Sequence, residues 1–455
     1  MTLQRGWSSG RSGHLRMWPG AGVYLSASAR VRASEHKVVA GLRISVFAAL
    51  TSLWPIAAPA KPIEVLGGSY VKELMQSMAA GFQKATPGAE LKIATGPRSD
   101  DDLLQEILRR STVGGELPDI VITGSGLRLL SERGIAVGLD ALIAARPQSN
   151  LTSASRIVLD KGRVGNGSYG VAFGLSMPVV LFNTSLVDKA GGDAAHLPTD
   201  WPGILALARR VNALGPPIVG GFIEADNTGS LSLLYLLQSQ GGRLMDSDER
   251  RLMIATPQGM AALDILRGFG EVGQAKASMT RDQARQAFGA GTIGIFVTMS
   301  STIAKHEQAV AGHFSVASVP LPIVDGGTIP TAGPIAVLLS KDEERQKAAL
   351  EFLEYLVSPE GQTIVVTKSG YLPINEQAIR DSTQLQNLLA ARPNTKSILS
   401  RLPVADGWFE PPGDNPAKIA ALVNERLFDV VTLREDPKSA ARSLSEAISP
   451  LLPSP

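Results

Sequence analysis

Residues 62–82, PIEVLGGSYVKELMQSMAAGF, decide the fold class, because the hydrophobic pattern changes within them from that of a strand to that of a helix. The run at 62–66 has the short apolar character of a buried strand. After it, apolar side chains recur three or four residues apart, the spacing of one helix face: Val71, Leu74, Met75, Met78, Ala79 and Phe82. This strand and helix predict the first half of a βαβ unit.

The alternation of strand and helix continues in the next forty residues. Strands are predicted at 90–94 and 119–123, and the helix between them carries Leu103, Leu104, Ile107 and Leu108. The order βαβαβ predicts a doubly wound, mostly parallel sheet. In such sheets ligands bind beyond the carboxyl ends of the strands, where N–H groups at helix N-termini point.

A second α/β region follows. Strands are predicted at 179–183, 293–298 and 335–339, and helices near 201–213, 229–239 and 257–269. Three helix starts carry capping signals: Thr256 before Pro257, Ser340 with Glu343, and Ser358 before Pro359. Two α/β lobes joined by strands account for this pattern.

The first 60 residues have the composition of an export signal. They contain seven Lys or Arg and a single acid, and the run at 44–58 is apolar. It ends at Ala58-Pro59-Ala60, the small-x-small pattern of a signal peptidase site, and it is too short to span a bilayer. We expect an N-terminal extension and signal peptide over 1–60, cleaved before Lys61.

The rest of the chain is net acidic and contains no cysteine. Seven of the 44 Lys and Arg but only one of the 42 Asp and Glu lie before residue 61, so the remainder gives no reason to expect nucleic acid as a partner. An exported chain without disulfides depends on a large core, which this length permits. Lipid modification needs a Cys at the cleavage point, so we expect a free periplasmic protein.

Four segments resemble the family 1 extracellular solute-binding proteins, and most closely those that bind glycerol phosphates and oligosaccharides. The segments are YGVAFGLSMPVVLFN (169–183), AFGAGTIGIFVTMSS (287–301), AGPIAVLL (332–339), and the stretch 358–375 with its Gly370-Tyr-Leu-Pro373 turn. Their order and spacing carry the resemblance, which covers roughly 62–448.

The resemblance implies a two-lobed periplasmic-binding-protein fold of type II. In this α/β fold each lobe is a doubly wound sheet flanked by helices, and hinge strands join the lobes. The family pattern places 61–175 and 299–333 in lobe 1 and 176–298 and 334–455 in lobe 2, with hinge crossings near 175, 298 and 333.

The function that the resemblance implies is that of the substrate-binding component of an ABC-type importer. Two lobes close over a solute, and a permease in the inner membrane recognises the closed form. The expected partners are thus a small-molecule solute and that permease, with the binding protein a monomer. No cofactor, metal or catalytic residue is implied.

The resemblance also implies where a ligand would bind. Ser176 matches a hinge serine that hydrogen-bonds ligand in the glycerophosphate binders. Where the relatives have a Tyr and a Glu on the first lobe, this chain offers Ser99 or Asp100, and Gly124 or Ser125. Residues near Asn227 and Ser230 replace two tryptophans. The predicted ligand-binding residues are Ser125, Ser176, Asn227, Ser300, Ser301, Gly333, Tyr371 and Trp408.

Two departures from the relatives bear on the ligand. The Arg that binds the phosphate group in the relatives is absent from 405–412, which contains no basic side chain. The two lost tryptophans matter because sugar faces usually stack on aromatic rings. The first loss argues against a glycerol phosphate and the second against a long oligosaccharide. We expect a small neutral or weakly charged carbohydrate, polyol or related solute.

Structural explanations stay open for several of these residues. Packing would equally explain Tyr371 and Trp408, and a hydrogen bond to the backbone would explain the buried hydroxyl of Ser176. The stretch 165–170 has the spacing GxGxxG, but it precedes a strand instead of opening a helix. It therefore predicts a hairpin turn and not a dinucleotide site.

Enzymatic function has little support in the sequence. There is no GxSxG, GxxxxGK[ST] or HExxH motif. The three histidines after residue 60 are far apart, which argues against zinc, and the acids at 100–102 suit the start of a helix. Two alternatives remain: a periplasmic carbohydrate-active enzyme with a carboxylate pair, and a binding protein that serves a sensor.

Overall fold

The computed structural model describes residues 62–152, 156–225 and 230–453. The strands of these ranges are, in chain order, β1 (Ile63–Gly67), β2 (Leu91–Thr95), β3 (Ile120–Thr123), β4 (Arg163–Val164), β5 (Gly167–Ser168), β6 (Gly170–Ala172), β7 (Pro178–Asn183), β8 (Val219–Ile223), β9 (Ile293–Met299), β10 (Val316–Pro320), β11 (Ile329–Pro330), β12 (Ile335–Leu338) and β13 (Ala405–Asp406).

The helices of the same ranges are α1 (Lys72–Ala85), α2 (Asp100–Thr112), α3 (Leu127–Glu132), α4 (Asp140–Ala144), α5 (Arg156–Asp160), α6 (Thr184–Lys189), α7 (Trp201–Asn212), α8 (Leu231–Ser239), α9 (Pro257–Phe269), α10 (Ala275–Ala277), α11 (Arg281–Gly289), α12 (Ile303–Ala309), α13 (Glu343–Leu356), α14 (Pro359–Lys368), α15 (Glu376–Asp381), α16 (Thr383–Ala390), α17 (Pro393–Ile398), α18 (Pro416–Val431) and α19 (Pro437–Ile448).

The first sheet has the strand order β2-β1-β3-β12-β6. Strand β1 pairs in parallel with both β2 and β3, as the βαβαβ pattern predicts, whereas β12 runs antiparallel to β3 and β6. The apolar face predicted for the first helix is buried in α1, including Leu74, Met78 and Phe82. The α/β class and the type II fold are thereby confirmed.

The second sheet has the order β10-β7-β9-β8. Strand β7 is antiparallel to β9 and β10, and β8 is parallel to β9. Every residue of β7, β8 and β9 is buried, so these strands form the centre of a layered core. Both sheets belong to one compact unit, Pro59–Pro455.

Two segments lie with the opposite sheet from the one that the family pattern predicts. The predicted crossing near 298 does not occur, because the chain leaves β9 and returns to the second sheet as β10. The segment after 333 enters the first sheet as β12, and α14 then packs on α1. The chain returns to the second sheet only where α17 packs on β10. Antiparallel pairing with β3 and β6 is the physical reason, since it satisfies the backbone of β12 on both sides.

Local signals were accurate for two of the three predicted helix starts. The Thr256 and Ser358 side chains accept hydrogen bonds from the N–H groups of Gly259 and Gly361. The third was wrong: Asp342, not Ser340, caps α13. The GxGxxG stretch is the predicted hairpin, in which β4 and β5 pair antiparallel.

The predicted signal peptide and its cleavage site lie outside the described residues. In the part of the chain that is described, no helix has both the length and the apolar character needed to cross a membrane.

Candidate ligand-binding site

Three chain segments that run between the two sheets lie side by side. Ser176 and Ala332 exchange backbone hydrogen bonds of 2.8 and 2.9 Å, and Leu175 and Leu372 exchange two of 3.0 and 2.7 Å. The segments near 175, 332 and 372 therefore form a short pad of paired backbone. This pairing brings residues that are up to 200 positions apart in sequence to one place.

Two glycines allow these segments to approach closely. Gly333 has a φ of +128°, and a Cβ atom there would lie 2.3 Å from the carbonyl oxygen of Gly174. Gly370 has a φ of +77°, and its Cβ would lie 2.7 Å from the carbonyl oxygen of Ser301. Only glycine fits both the left-handed backbone and the contact. The role of Gly333 that the geometry supports is thus to admit neighbouring backbone.

A cavity of about 330 Å³ lies over this pad. Residues at the carboxyl ends of β1 and β3 line one side of it, and residues of β9 and α11 line the other. Its lining residues are Tyr70, Asp100, Gly124, Ser125, Ser176, Leu231, Arg281, Arg285, Met299, Ser301, Thr302, Ala332, Gly333, Tyr371 and Trp408.

Six of the eight predicted ligand-binding residues line this cavity: Ser125, Ser176, Ser301, Gly333, Tyr371 and Trp408. Asn227 lies outside the described residues. Ser300 does not line the cavity, because it is buried and its hydroxyl accepts a hydrogen bond from the N–H of Met177 at 3.1 Å. Of these two adjacent serines, only Ser301 lines the cavity.

Tyr70 and Asp100 form a hydrogen-bonded pair in the cavity wall. The Tyr70 hydroxyl donates to Oδ1 of Asp100 at 2.7 Å. Burial raises the pKa of Asp100, although the hydrogen bonds from Tyr70 and the N–H of Gly124 oppose the rise. Burial and the neighbouring Asp100 raise the pKa of Tyr70 as well. Because its hydroxyl is committed to the pair, Tyr70 orients a carboxylate that can accept hydrogen bonds from a ligand.

The sequence interpretation left Ser99 and Asp100 open as alternatives, and it missed Tyr70. The geometry favours Asp100, since Ser99 caps α2 by accepting a hydrogen bond from the N–H of Asp102. A signal for Tyr70 was present: it follows Gly67 and Gly68 at the carboxyl end of β1, the edge at which α/β sheets bind ligands.

The Ser176 hydroxyl is held by its neighbour Ser301. It donates to Oγ of Ser301 at 2.9 Å and accepts from the N–H of the same residue at 3.1 Å. The Ser301 hydroxyl accepts the first of these bonds, so its own proton is directed elsewhere. Ser176 therefore positions Ser301, whose hydroxyl can donate to a ligand.

Tyr371 is a hydrogen-bond donor fixed against the pad. Its Cβ packs on Gly174, where an added Cβ would lie only 3.1 Å away. Burial and the nearby charge of Asp100 raise the pKa of Tyr371 to about 12, so its phenol stays protonated at neutral pH.

Two arginines of α11 face the cavity, and the sequence interpretation did not consider them. Arg281 and Arg285 are four residues apart and so lie on one helix face. Nε and Nη2 of Arg285 donate to the two carboxylate oxygens of the buried Glu224 at 2.6 and 3.1 Å. The family pattern places a basic side chain only in 405–412, and no local signal in the sequence connects α11 to that loop.

Trp408 lines both the main cavity and the cavities next to it. The loop that carries it is tied to the start of α3, because Glu410 accepts hydrogen bonds from the N–H groups of Gly126 and Arg128, the latter at 3.1 Å. Arg128 also forms an ion pair with Glu249. Among the described residues, no group of three or more His, Cys, Asp or Glu side chains could hold a metal ion.

Comparison with known proteins places these features in a wider group. The sequence profile of a family described as bacterial extracellular solute-binding protein matches residues 77–392. The chain is 24% identical over 294 residues to the sn-glycerol-3-phosphate-binding periplasmic protein UgpB of Escherichia coli strain K12, covering 62% of this chain and 66% of that protein. It is 25% identical over 282 residues to the UgpB protein of Yersinia pestis bv. Antiqua strain Antiqua, covering 59% and 63%. The chain thus spans slightly less than two thirds of these relatives.

Solved structures of three proteins are similar over 86% of this chain. UgpB from Mycobacterium tuberculosis in complex with glycerophosphocholine has a TM-score of 0.73 at 19% identity, over 98% of that protein. The sugar-binding protein MalE of Xanthomonas citri has 0.72 at 15%, over 97%. The cyclic α-maltosyl-1,6-maltose binding protein of Arthrobacter globiformis has 0.71 at 17%, over 99%. At these identities the likeness establishes the fold.

Proposed function

Because the chain belongs to the bacterial extracellular solute-binding protein family, we propose that it is the periplasmic substrate-binding component of an ABC-type importer. It captures a small carbohydrate, polyol or related solute and delivers it to a permease. The basic and apolar leader at 1–60 supports export, with cleavage before Lys61.

The observation that carries the proposal is the cavity over the pad of paired segments. Hydrogen-bond donors and acceptors from both sheets converge there: Asp100 from the first, Ser301 from the second, and Tyr371 from a connecting segment. A solute that bridges these groups would be held only when both sides are in place. Closure of two lobes about the connecting segments then couples solute binding to a closed conformation that a permease can recognise.

The charges around the cavity favour a neutral or weakly charged solute. The guanidinium of Arg285 is matched by Glu224, and the carboxyl group of Asp100 offsets the charge of Arg281, which also lines the cavity. Carboxylate, guanidinium and hydroxyl groups together suit the vicinal hydroxyls of a sugar or polyol. The sugar-binding protein MalE of Xanthomonas citri, which has a similar structure, is consistent with such a solute, whereas the UgpB relatives bind sn-glycerol 3-phosphate.

A calorimetric comparison of paired solutes tests this proposal. We expect glucose, maltose or glycerol to bind more tightly than the corresponding phosphate, since the carboxyl groups of Asp100 and Glu224 already offset the two arginines of α11 and the stretch 405–412 adds no further cation. A bound solute at 100 times its Kd should stabilise the protein by about 2.7 kcal/mol. Tighter binding of sn-glycerol 3-phosphate than of any neutral solute would contradict the proposal that the solute is neutral or weakly charged. Absence of stabilisation by any sugar, polyol or phosphate derivative would contradict the proposed function.

Removing the hydroxyls of Ser176 and Tyr371 should weaken the binding of a solute identified in that comparison. Ser176→Ala releases Ser301, and Tyr371→Phe removes a donor, so each should cost roughly 1–3 kcal/mol, or about tenfold in Kd. Calorimetry measures the change. Tyr355→Phe is a matched control, because that tyrosine packs on Phe82 in α1 and does not line the cavity. A fall in the unfolding midpoint with unchanged affinity would show that both residues only support packing.

A further inference from the structure

We infer that the ligand cavity continues past Trp408 into a second, apolar subsite, which takes an aliphatic or aromatic substituent of the solute. This inference rests on the proposed function and narrows its solute class to molecules with a polar part and an apolar part, such as alkyl or aryl glycosides.

The second subsite is a cavity of about 270 Å³ next to the first. Ser125 and Trp408 line both cavities, so a molecule seated against the indole ring can extend from one into the other. The side chains that form its interior are Leu104, Leu129, Leu244, Ile419 and Val423, together with Pro411. Side chains of this kind contact a ligand mainly through dispersion and the exclusion of water.

Two of the acidic groups at the edge of this subsite are already engaged within the protein. Glu410 accepts hydrogen bonds from the backbone at the start of α3, and Asp414 pairs with Arg133 at 2.6 Å. A ligand entering between Glu410 and Asp414 therefore meets the apolar interior, and the other long polar side chains of the lining, Asp101, Gln105 and Lys418, are exposed to solvent. This arrangement favours a hydrocarbon group over a second sugar, whose hydroxyls would need partners.

The walls are fixed, so the subsite is preformed. Gly126 has a φ of +82° and lies so close to Leu104 that an added Cβ would come within 2.7 Å of Cδ2. On the other side α18 begins with Pro416, and its Ile419 and Val423 are buried. The Glu410 carboxylate joins the loop after Trp408 to the start of α3. A preformed apolar cavity needs little ordering when a ligand enters.

The test compares solutes that share one polar part and differ in chain length. For the exported protein, calorimetry of methyl, butyl and hexyl β-D-glucoside is expected to show a Kd that falls about fourfold for each methylene group buried. Butanol and hexanol, which lack the sugar, should show the same chain-length trend by ligand-observed NMR, with weaker binding.

Ala420 provides a variant that fills the subsite without touching the main cavity. Ala420→Phe places a ring on the cavity side of α18 and should abolish the dependence on chain length while leaving methyl glucoside binding within about twofold. Ala421→Phe is the matched control, since the neighbouring Ala421 faces solvent and the trend should persist.

The outcomes separate the inference from the proposed function. Equal affinity for methyl and hexyl glucoside, or a trend that persists in Ala420→Phe, overturns the subsite and leaves solute binding intact. A chain-length trend among the alcohols that Ala420→Phe removes supports the subsite even if no glucoside binds through its sugar. No binding by glucosides or by alcohols overturns the subsite.

Discussion

Replacing Arg285 by Met is expected to lower the free energy of unfolding by about 3–5 kcal/mol, because the change leaves a buried carboxylate without the cation that neutralises it. The Glu224 side chain is fully buried, and both of its oxygens accept hydrogen bonds from Arg285. Burial raises the pKa of Glu224, and Arg285 is the main opposing influence. Urea unfolding followed by circular dichroism measures the loss.

Replacing Glu224 should cost less stability than replacing Arg285. Glu224→Gln is expected to cost less, about 1–3 kcal/mol, since the Arg285 side chain is 32% exposed and keeps contact with water. In Arg285→Met the pKa of Glu224 is raised further by burial. The loss in free energy of unfolding should therefore be largest at neutral pH and smaller in acid, where the carboxyl group is protonated.

A neighbouring charge on α11 supplies the control for this prediction. Asp282 is exposed and lies 3.8 Å from Nη1 of Arg285, so Asp282→Ala should change stability by less than about 1 kcal/mol. If Arg285→Met were no more destabilising than Asp282→Ala, the buried pair would not contribute as the geometry indicates. A double variant, Arg285→Met with Glu224→Met, should recover much of the loss.

A buried lysine should make the protein more stable as the pH rises from 7 to 10. Lys161 is buried, its Nζ donates to the carbonyl oxygen of Thr331, and burial lowers its pKa to about 7. Between pH 7 and the ordinary value near 10.5, the unfolded chain binds a proton that the folded chain does not. The free energy of unfolding should therefore increase by about 3 kcal/mol from pH 7 to 10, and this contribution is absent below pH 7.

Lys161→Met is expected to flatten that rise, because the apolar side chain has no charge to bury. Chemical unfolding at pH 7, 8, 9 and 10 measures the slope for both proteins. Lys72→Met, on the exposed face of α1, should keep the slope of the unchanged protein. An equal slope in Lys161→Met would show that other groups produce the pH dependence.

Strands and helix faces were predictable where a local pattern determines them. The predicted strands at 62–66, 179–183 and 293–298 agree with β1, β7 and β9 within one residue at each end. Short apolar runs bounded by Gly and Pro leave little choice of structure. The start of α13 was misplaced by the same reasoning, because Ser340 and Asp342 both suit a cap and the sequence alone does not choose between them.

Sheet membership could not be read from local pattern. The apolar sequence of β12 predicts a buried strand but does not indicate which sheet contains it. Only its antiparallel pairing with β3 and β6 assigns it to the first sheet. The segment before it was misassigned for the same reason, since β10 pairs with β7 across 130 residues of chain. The two-lobe division itself remains a prediction.

The sequence by itself determined the α/β class, the family and six of the fifteen residues that line the cavity, because motif order and hydrophobic period are local properties of the chain. Only the tertiary structure decided that Tyr70 joins Asp100, that Arg285 reaches the cavity, and that Ser300 turns away from it. Each of these depends on backbone pairing and packing between segments far apart in sequence. Such contacts are fixed by the mutual satisfaction of buried polar groups, which no single segment contains.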